Sequence, residues 1–314
     1  MRIAVLDDWS GVAEQTADWG SLGADVTYFT QPLTDPVGQL QPYDVVCLMR
    51  ERTLFGAELI GALPNLRLIV TTGPRNLSID TAAARARGIE VCGTRSRKTT
   101  TSELTLALLL ALSRRIIPEA RSLADGGWQG LPGRDLAGLR LGLVGLGNIG
   151  QQMAALGQVL GMQIAAWSPN LTDDRCTEGI ARAASLCDLA AQSDVLSVHM
   201  VLSDRTAGLI GAEAFDALPD GAIFLNTSRA GLIDREALFA AMRAKDTLQA
   251  GIDVFETEPL PSGDPWMQGK SQFGDRLLLT PHLGYVTQET WRLFYQDTVE
   301  AIAAFQAGTP IRLL

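Results

Sequence analysis

Residues 139–157 read LRLGLVGLGNIGQQMAALG. An apolar run ending at Val144 meets three glycines in GxGxxG spacing, Gly145, Gly147 and Gly150, and apolar residues at helical period follow. Glycine-rich turns are common, so the spacing alone says little. The strand before it and the amphipathic helix after it make the signal specific. The first glycine permits the tight turn, the second lets the backbone approach a pyrophosphate, and the third lets helix pack on strand. The helix N-terminus, at Asn148 and Ile149, offers unpaired amides and a partial positive charge to phosphates. The stretch therefore predicts the opening of a dinucleotide-binding α/β sheet.

The same alternation extends along the chain. RIAVL, DVTYF, DVVCLM and LRLIVTT are strand-like in the first third, and LRLGLVG, QIAAWS, DVLSVHM, GAIFLN, LQAGIDVF and RLLLTPH continue the series from residue 139. Helical stretches such as IGQQMAALGQVLG and DREALFAAMRAK lie between them. Continuous Val/Ile/Leu runs alternating with helices predict parallel sheets covered on both faces. One long helix, TTTSELTLALLLALSRRIIPEARSL, separates the two series; it carries a capping-box pattern at Thr100 and Glu103 and a break or kink expected at Pro118. At 314 residues, two domains are expected. Nine apolar residues, Leu104 to Leu112, are too few to span a bilayer.

Composition narrows the function classes. A net charge of −9 argues against nucleic acid or an anionic membrane as partner. Four cysteines without CxxC spacing and only two histidines, His199 and His282, argue against a metal site. The N-terminal MRIAVLDDW starts directly as a strand, without a leader pattern, so a cytoplasmic protein is expected.

An acid is expected about 20 residues beyond the glycine loop, gripping the adenine ribose. The next strand ends QIAAWSPNLTDDR, with Ser168 where that acid belongs. Without the carboxylate a 2′-phosphate is not repelled. Ser168, Asn170 and Thr172 offer hydrogen bonds to it and Arg175 a charge; equally, Ser168 can bond the ribose of NAD. Both NADH and NADPH are expected to serve, with a slight lean to NADPH.

Catalytic side chains in such sheets follow the carboxyl ends of strands. Arg229 follows AIFLN, Asp253 ends AGIDV with Glu256 and Glu258 after it, and His282 follows LLLTP. An arginine, a carboxylate and a histidine suffice to reduce a 2-oxo acid: a guanidinium fork holds the carboxylate and polarises the ketone, and an imidazolium steadied by a carboxylate donates the proton.

GLVGLGNIG, NTSRAGLID, DVFETEPLP and LTPHLGY resemble, in order and spacing, the D-isomer-specific 2-hydroxyacid dehydrogenases, and MRERTLF, PNLRLIVTTGPRNLSID and GIEVCGTRS extend the resemblance to a phosphoglycerate dehydrogenase-like bacterial branch. The resemblance implies two doubly wound parallel-sheet domains: a Rossmann cofactor domain, 99–284, inserted in a flavodoxin-like substrate domain, 1–98 plus 285–314. It implies that Arg229 binds the substrate, that Glu258 partners His282, and that His282 is the acid/base. Asp253 is expected to hold the nicotinamide carboxamide, with Thr101 nearby. Thr227 and Ser228 join the cofactor set, and His199 lines the cofactor crevice without a catalytic role. Thr72, Gly73, Pro74, Arg75 and Asn76 are expected to cradle the substrate carboxylate. A closing cleft is expected, hinged near 97–101 and 284–288. A homodimer is expected too, with LTLALLLALSRR either apolar enough to make its contact or buried as a helix within the chain. The segment PSGDPWMQGKSQFGD is either an active-site wall or a surface loop. Alternative readings are a dinucleotide-sensing, corepressor-like regulator and a related enzyme oxidising formate or phosphite. The particular 2-hydroxy acid is not specified by the sequence.

Overall fold

The computed structural model describes residues 1–314, which divide into two compact units, Met1–Arg97 with Val286–Leu314 and Lys98–Tyr285. No helix is long and apolar enough to cross a membrane.

The first unit holds five parallel strands, β1 (Arg2–Val5), β2 (Asp25–Tyr28), β3 (Val45–Leu48), β4 (Leu68–Thr71) and β5 (Glu90–Gly93). Their spatial order is β2-β1-β3-β4-β5, the flavodoxin-like arrangement. Alternate residues Ala4, Val46, Leu48, Ile69 and Val91 enter one core cluster with Leu40, Phe55 and Ile60. The C-terminal helix Gln288–Gln306 packs against β4 and β5. Asp297, 1% exposed, fixes it there: its carboxylate accepts bonds from the Arg95 amide (2.8 Å), Nε (3.0 Å) and Nη2 (2.6 Å). Burial alone would raise that carboxyl, but the Arg95 bonds outweigh it and hold it below its ordinary range.

The second unit holds seven parallel strands, β6 (Arg140–Val144), β7 (Gln163–Trp167), β8 (Ile180–Arg182), β9 (Val195–Val198), β10 (Ile223–Asn226), β11 (Gln249–Ile252) and β12 (Leu277–Leu279). The order β12-β11-β10-β9-β6-β7-β8 is the Rossmann winding, and its direction reverses between β6 and β9. Strand alternation builds two cores, one on each face. Leu141, Leu143, Val195, Ile223 and Leu225 pack with Leu108, Leu112 and Met153. Val144, Leu196, Val198, Phe224 and Ile252 pack with Leu238, Phe239 and Trp266.

Several sequence expectations need revision. The long helix is two helices, Thr100–Ser113 and Ile116–Ala124, broken at Arg115 (φ 55°) and not at Pro118. Pro118 sits in the first turn of the second helix, where a missing N–H costs nothing. Thr100 is not the cap of the first helix; Thr99 is, without a side-chain bond. LTLALLLALSRR is not a free apolar face, because Leu108, Leu109 and Leu112 are buried in this unit's own core. A run of exposed apolar side chains lies just beyond it, at Ile116, Ile117, Leu123, Trp128 and Leu131. The segment 261–275 is neither wall nor loop: Pro265–Phe273 is a helix capped by Asp264, Trp266 and Phe273 are core, and Met267 faces outward.

Candidate active site

The register of the second sheet gathers the candidates. Asn226 pairs with Ile252, and Ile252 with Leu279, so three adjacent strands end level. Arg229 lies three residues past the first, Asp253 one past the second and His282 three past the third. Parallel strands are about 4.8 Å apart, so residues 24 to 53 positions apart in sequence meet at one edge.

His282 adopts φ 52°, a left-handed conformation uncommon for a non-glycine residue. Asp253 holds it there. Fully buried, its carboxylate accepts bonds from Thr280 Oγ1 (2.6 Å), the Leu283 amide (2.7 Å) and the Gly284 amide (2.9 Å). Burial pushes this carboxyl up, against the pull of those bonds. Asp253 therefore has a positioning task that the sequence reading did not anticipate. His282 Nδ1 lies 2.6 Å from Glu258 Oε2, and Glu258 Oε1 accepts the Phe255 amide at 3.0 Å. The carboxylate is thus pinned at both oxygens, and Nε2 is the imidazole nitrogen left for chemistry. Tyr285 meets the ring edge-on with centroids 5.3 Å apart. Glu256 is occupied elsewhere, accepting from Trp266 Nε1 at 2.9 Å.

Arg229 leaves a braced turn. Asn226 Nδ2 donates to the Arg229 carbonyl (3.0 Å), the Ser228 amide donates to Asn226 Oδ1 (3.0 Å), and Arg229 Nη1 donates to the Ser228 carbonyl (2.7 Å). Thr227 and Ser228, expected in the cofactor set, have hydroxyls bonded within this unit. Thr227 Oγ1 bonds Thr105 Oγ1 (2.7 Å) and Ser228 Oγ donates to the Val198 carbonyl (2.8 Å). Thr101 Oγ1 donates to the Gly284 carbonyl at 3.2 Å, steadying the loop of His282.

His199 follows β9, beside the glycine loop. Its Nε2 meets Ser197 Oγ at 2.9 Å and its Nδ1 is buried without a partner. Burial pushes this imidazole down to about 3, so it stays neutral near pH 7 and is no proton donor there.

The glycine loop has the space that a ligand would need. Gly145 has φ 101°, and a Cβ there would lie 2.5 Å from the His199 carbonyl; one at Gly150 would lie 2.1 Å from the Gly145 carbonyl. Those two glycines are required by the fold. Gly147 is not: its φ of −80° suits any residue, and a Cβ would meet nothing within 4 Å. It opens onto a cavity of about 360 Å³ lined also by Ser168, Asn170 and His199. The first amides of the helix Asn148–Val159 stand at the same loop, while the Asn148 side chain donates to the Lys98 carbonyl (3.2 Å).

The chain matches the family model described as "D-isomer specific 2-hydroxyacid dehydrogenase, NAD binding domain" over residues 106–284. It is 34% identical to a hydroxypyruvate reductase of Thermotoga maritima, covering 85% of this chain and 87% of that one. The chain belongs to the D-isomer specific 2-hydroxyacid dehydrogenase family. A D-3-phosphoglycerate dehydrogenase of Archaeoglobus fulgidus is 32% identical over 88% of this chain, which spans 52% of that longer protein. A solved phosphoglycerate oxidoreductase of Vibrio cholerae O395 superposes with a TM-score of 0.90 at 34% identity, covering 98% of this chain and 99% of that one.

A nicotinamide dinucleotide is the cofactor this family domain binds, and the Gly147 opening fits its pyrophosphate. Gly147→Val is expected to abolish dinucleotide binding while the thermal midpoint holds, because the side chain fills only the ligand's space. Gly150→Val is expected to destabilise the fold by at least about 1–3 kcal/mol through overpacking. Calorimetric titration and thermal melts of both variants read the two effects apart; a Gly147→Val protein that still binds would show that no ligand passes this residue.

The first unit carries its own polar edge. Thr72 and Asn76 are buried, and their side chains are spent inside: Thr72 Oγ1 accepts the Arg50 amide (2.9 Å), and Asn76 Nδ2 donates to Thr71 Oγ1 (2.9 Å). Gly73 (φ 94°) donates its amide to Thr94 Oγ1 at 2.7 Å, so this N–H, expected to greet a carboxylate, is taken. Pro74 and Arg75 are exposed, and the amides of Arg75 and Asn76 make no internal bond. Arg50 was missed by the sequence reading. It sits two residues past β3 with φ 55°, and its guanidinium lies where a Gly73 Cβ would be. An arginine just past a strand end was the same signal that drew attention to Arg229.

Proposed function

We propose that this protein is an NAD(P)-dependent oxidoreductase interconverting a 2-oxo acid and its D-2-hydroxy acid. The observation that carries the reading is the 2.6 Å contact of His282 Nδ1 with Glu258 at the carboxyl edge of the sheet that also bears the glycine loop. Bound dinucleotide supplies the hydride in reduction and accepts it in oxidation. Glu258 keeps Nδ1 protonated and the ring oriented, so Nε2 delivers the proton to the ketone oxygen as the alcohol forms and removes it in reverse. Arg229, on its braced turn, grips the substrate carboxylate with two parallel N–H bonds and polarises the ketone. Asp253 acts as a positioning residue, holding the loop that carries His282, and its remaining acceptor capacity at Oδ2 suits the nicotinamide carboxamide. The exposed side chains of Ile116, Leu123, Trp128 and Leu131 are the face we assign to a homodimer contact.

The decisive experiment follows loss of reduced dinucleotide with a panel of 2-oxo acids, with hydroxypyruvate included because a relative is named for it, and D-3-phosphoglycerate tried in the oxidative direction. Turnover with at least one acid is expected, with the D-enantiomer alone oxidised in reverse. A protein that binds dinucleotide but turns over no acid of the panel would sink the proposal.

A further inference from the structure

The geometry points to Arg205, acting with Arg175, as a clamp for a phosphate on the 2′-hydroxyl of the cofactor's adenosine ribose, and so to NADP(H) as the preferred dinucleotide. This rests on the dinucleotide site proposed above and deepens it.

Ser168 directly follows β7, whose last residue Trp167 pairs with Val144, the residue before the glycine loop. That is the position from which an acid grips both ribose hydroxyls in an NAD-selective site. The structure offers no substitute acid: neither Asp nor Glu lines the cavity of about 360 Å³ that opens from Gly147. Asp173 is paired with Arg182, and Asp174 and Asp204, though next to the two arginines in sequence, do not face the cavity.

What lines the cavity is two arginines from two loops. Arg175 follows the Ser168–Leu171 turn, which is closed by the Leu171 amide on the Ser168 carbonyl at 3.1 Å. Arg205 follows β9 on a turn that bonds itself: Thr206 Oγ1 accepts the Ser203 amide (2.8 Å) and donates to the Val201 carbonyl (2.8 Å), and the Ala207 amide reaches the Ser203 carbonyl (2.9 Å). Thr206 is buried, so the turn is anchored and the Arg205 stem is presented from a fixed base. Neither arginine has an ion-pair partner in the chain, whereas Arg182 and Arg134 nearby each have one. The Ser168 hydroxyl is likewise unbonded, and Asn170 adds an amide at the same wall. Two unpaired guanidiniums, a hydroxyl and an amide without any carboxylate match a dianionic phosphate better than a neutral diol.

The test is calorimetric titration of NADP⁺ and NAD⁺ into the protein without substrate. Wild type is expected to bind NADP⁺ at least about tenfold more tightly, the low end of what a hydrogen bond to a charged group contributes. Arg205→Gln and Arg175→Gln should each erode NADP⁺ affinity while NAD⁺ affinity stays put, and Ser168→Asp should weaken NADP⁺ alone. Equal losses for both dinucleotides in Arg205→Gln, or a wild type that prefers NAD⁺, would overturn the assignment. Because the readout is binding, it separates from catalysis. A protein that selects NADP⁺ but reduces no 2-oxo acid keeps the clamp and loses the proposed activity; one that reduces 2-oxo acids best with NADH does the reverse.

Discussion

Replacing His282 by alanine is expected to lower turnover with 2-oxo acids by about 10²–10⁴-fold, the usual contribution of a positioned general acid or base. Dinucleotide affinity should be unchanged. Three features support so large an effect. The ring is oriented by Glu258 at 2.6 Å, its backbone is held at φ 52° by the buried carboxylate of Asp253, and that loop is tied to Thr101 through the Gly284 carbonyl. An imidazole held this way acts as a unit with its partner, so Glu258→Gln should lose much of the same rate and alter its pH profile. His199 provides the control. It is the chain's other histidine, yet burial keeps it neutral and its Nε2 bond goes to Ser197. Steady-state rates for His282→Ala and His199→Ala, with dinucleotide titrations of both, decide the matter; equal losses in turnover would mean that His282 has no special place in the chemistry.

Arg229→Lys is expected to reduce kcat/KM for 2-oxo acids by roughly 10- to 10²-fold, the loss of one hydrogen bond to a charged group at about 1.5–3 kcal/mol. Lysine keeps the charge and cannot make the planar fork. The fold should not suffer, because the turn is braced by Asn226 and Ser228 through backbone groups that the substitution leaves alone. The substitution removes the Arg229 Nη1 bond to the Ser228 carbonyl, which lies outside that backbone bracing. Kinetics beside a thermal melt separate the outcomes. An unaltered kcat/KM would leave Arg229 as a structural residue of the turn and would remove the carboxylate ligand from the proposed mechanism.

The site was partly legible before the fold was known. Arg229, Asp253, Glu256, Glu258 and His282 could be named as candidates because each follows an apolar strand-like run, and strand ends of parallel sheets face one edge; the resemblance then singled out Glu258 as the partner of His282. The reading was incomplete where side chains compete for partners. Nothing near Thr227 or Thr72 in the sequence announces the internal bonds that their hydroxyls make with Thr105 and the Arg50 amide. Arg205 went unnoticed because its turn lies 30 residues beyond the β7 loop that holds Arg175. Only the order of the strands puts both on one cavity.

By itself, the sequence determined the two parallel sheets, the glycine turn and the strand ends from which the chemistry is argued. Periodic burial and glycine conformation are local properties, written in residues a few positions apart. It did not determine β8, whose three residues, Ile180–Arg182, lie at a half-exposed edge and carry no apolar run to announce them. Nor did it determine the break at Arg115, because a proline in a first turn is no obstacle to a helix. Tertiary structure alone decided where Glu256 goes, since Trp266, folded into the core ten residues on, takes it and leaves Glu258 against His282. It decided too that Asp253 holds the histidine loop. Those outcomes depend on register between strands and on which donors burial leaves unsatisfied, and both are set only when distant segments pack together.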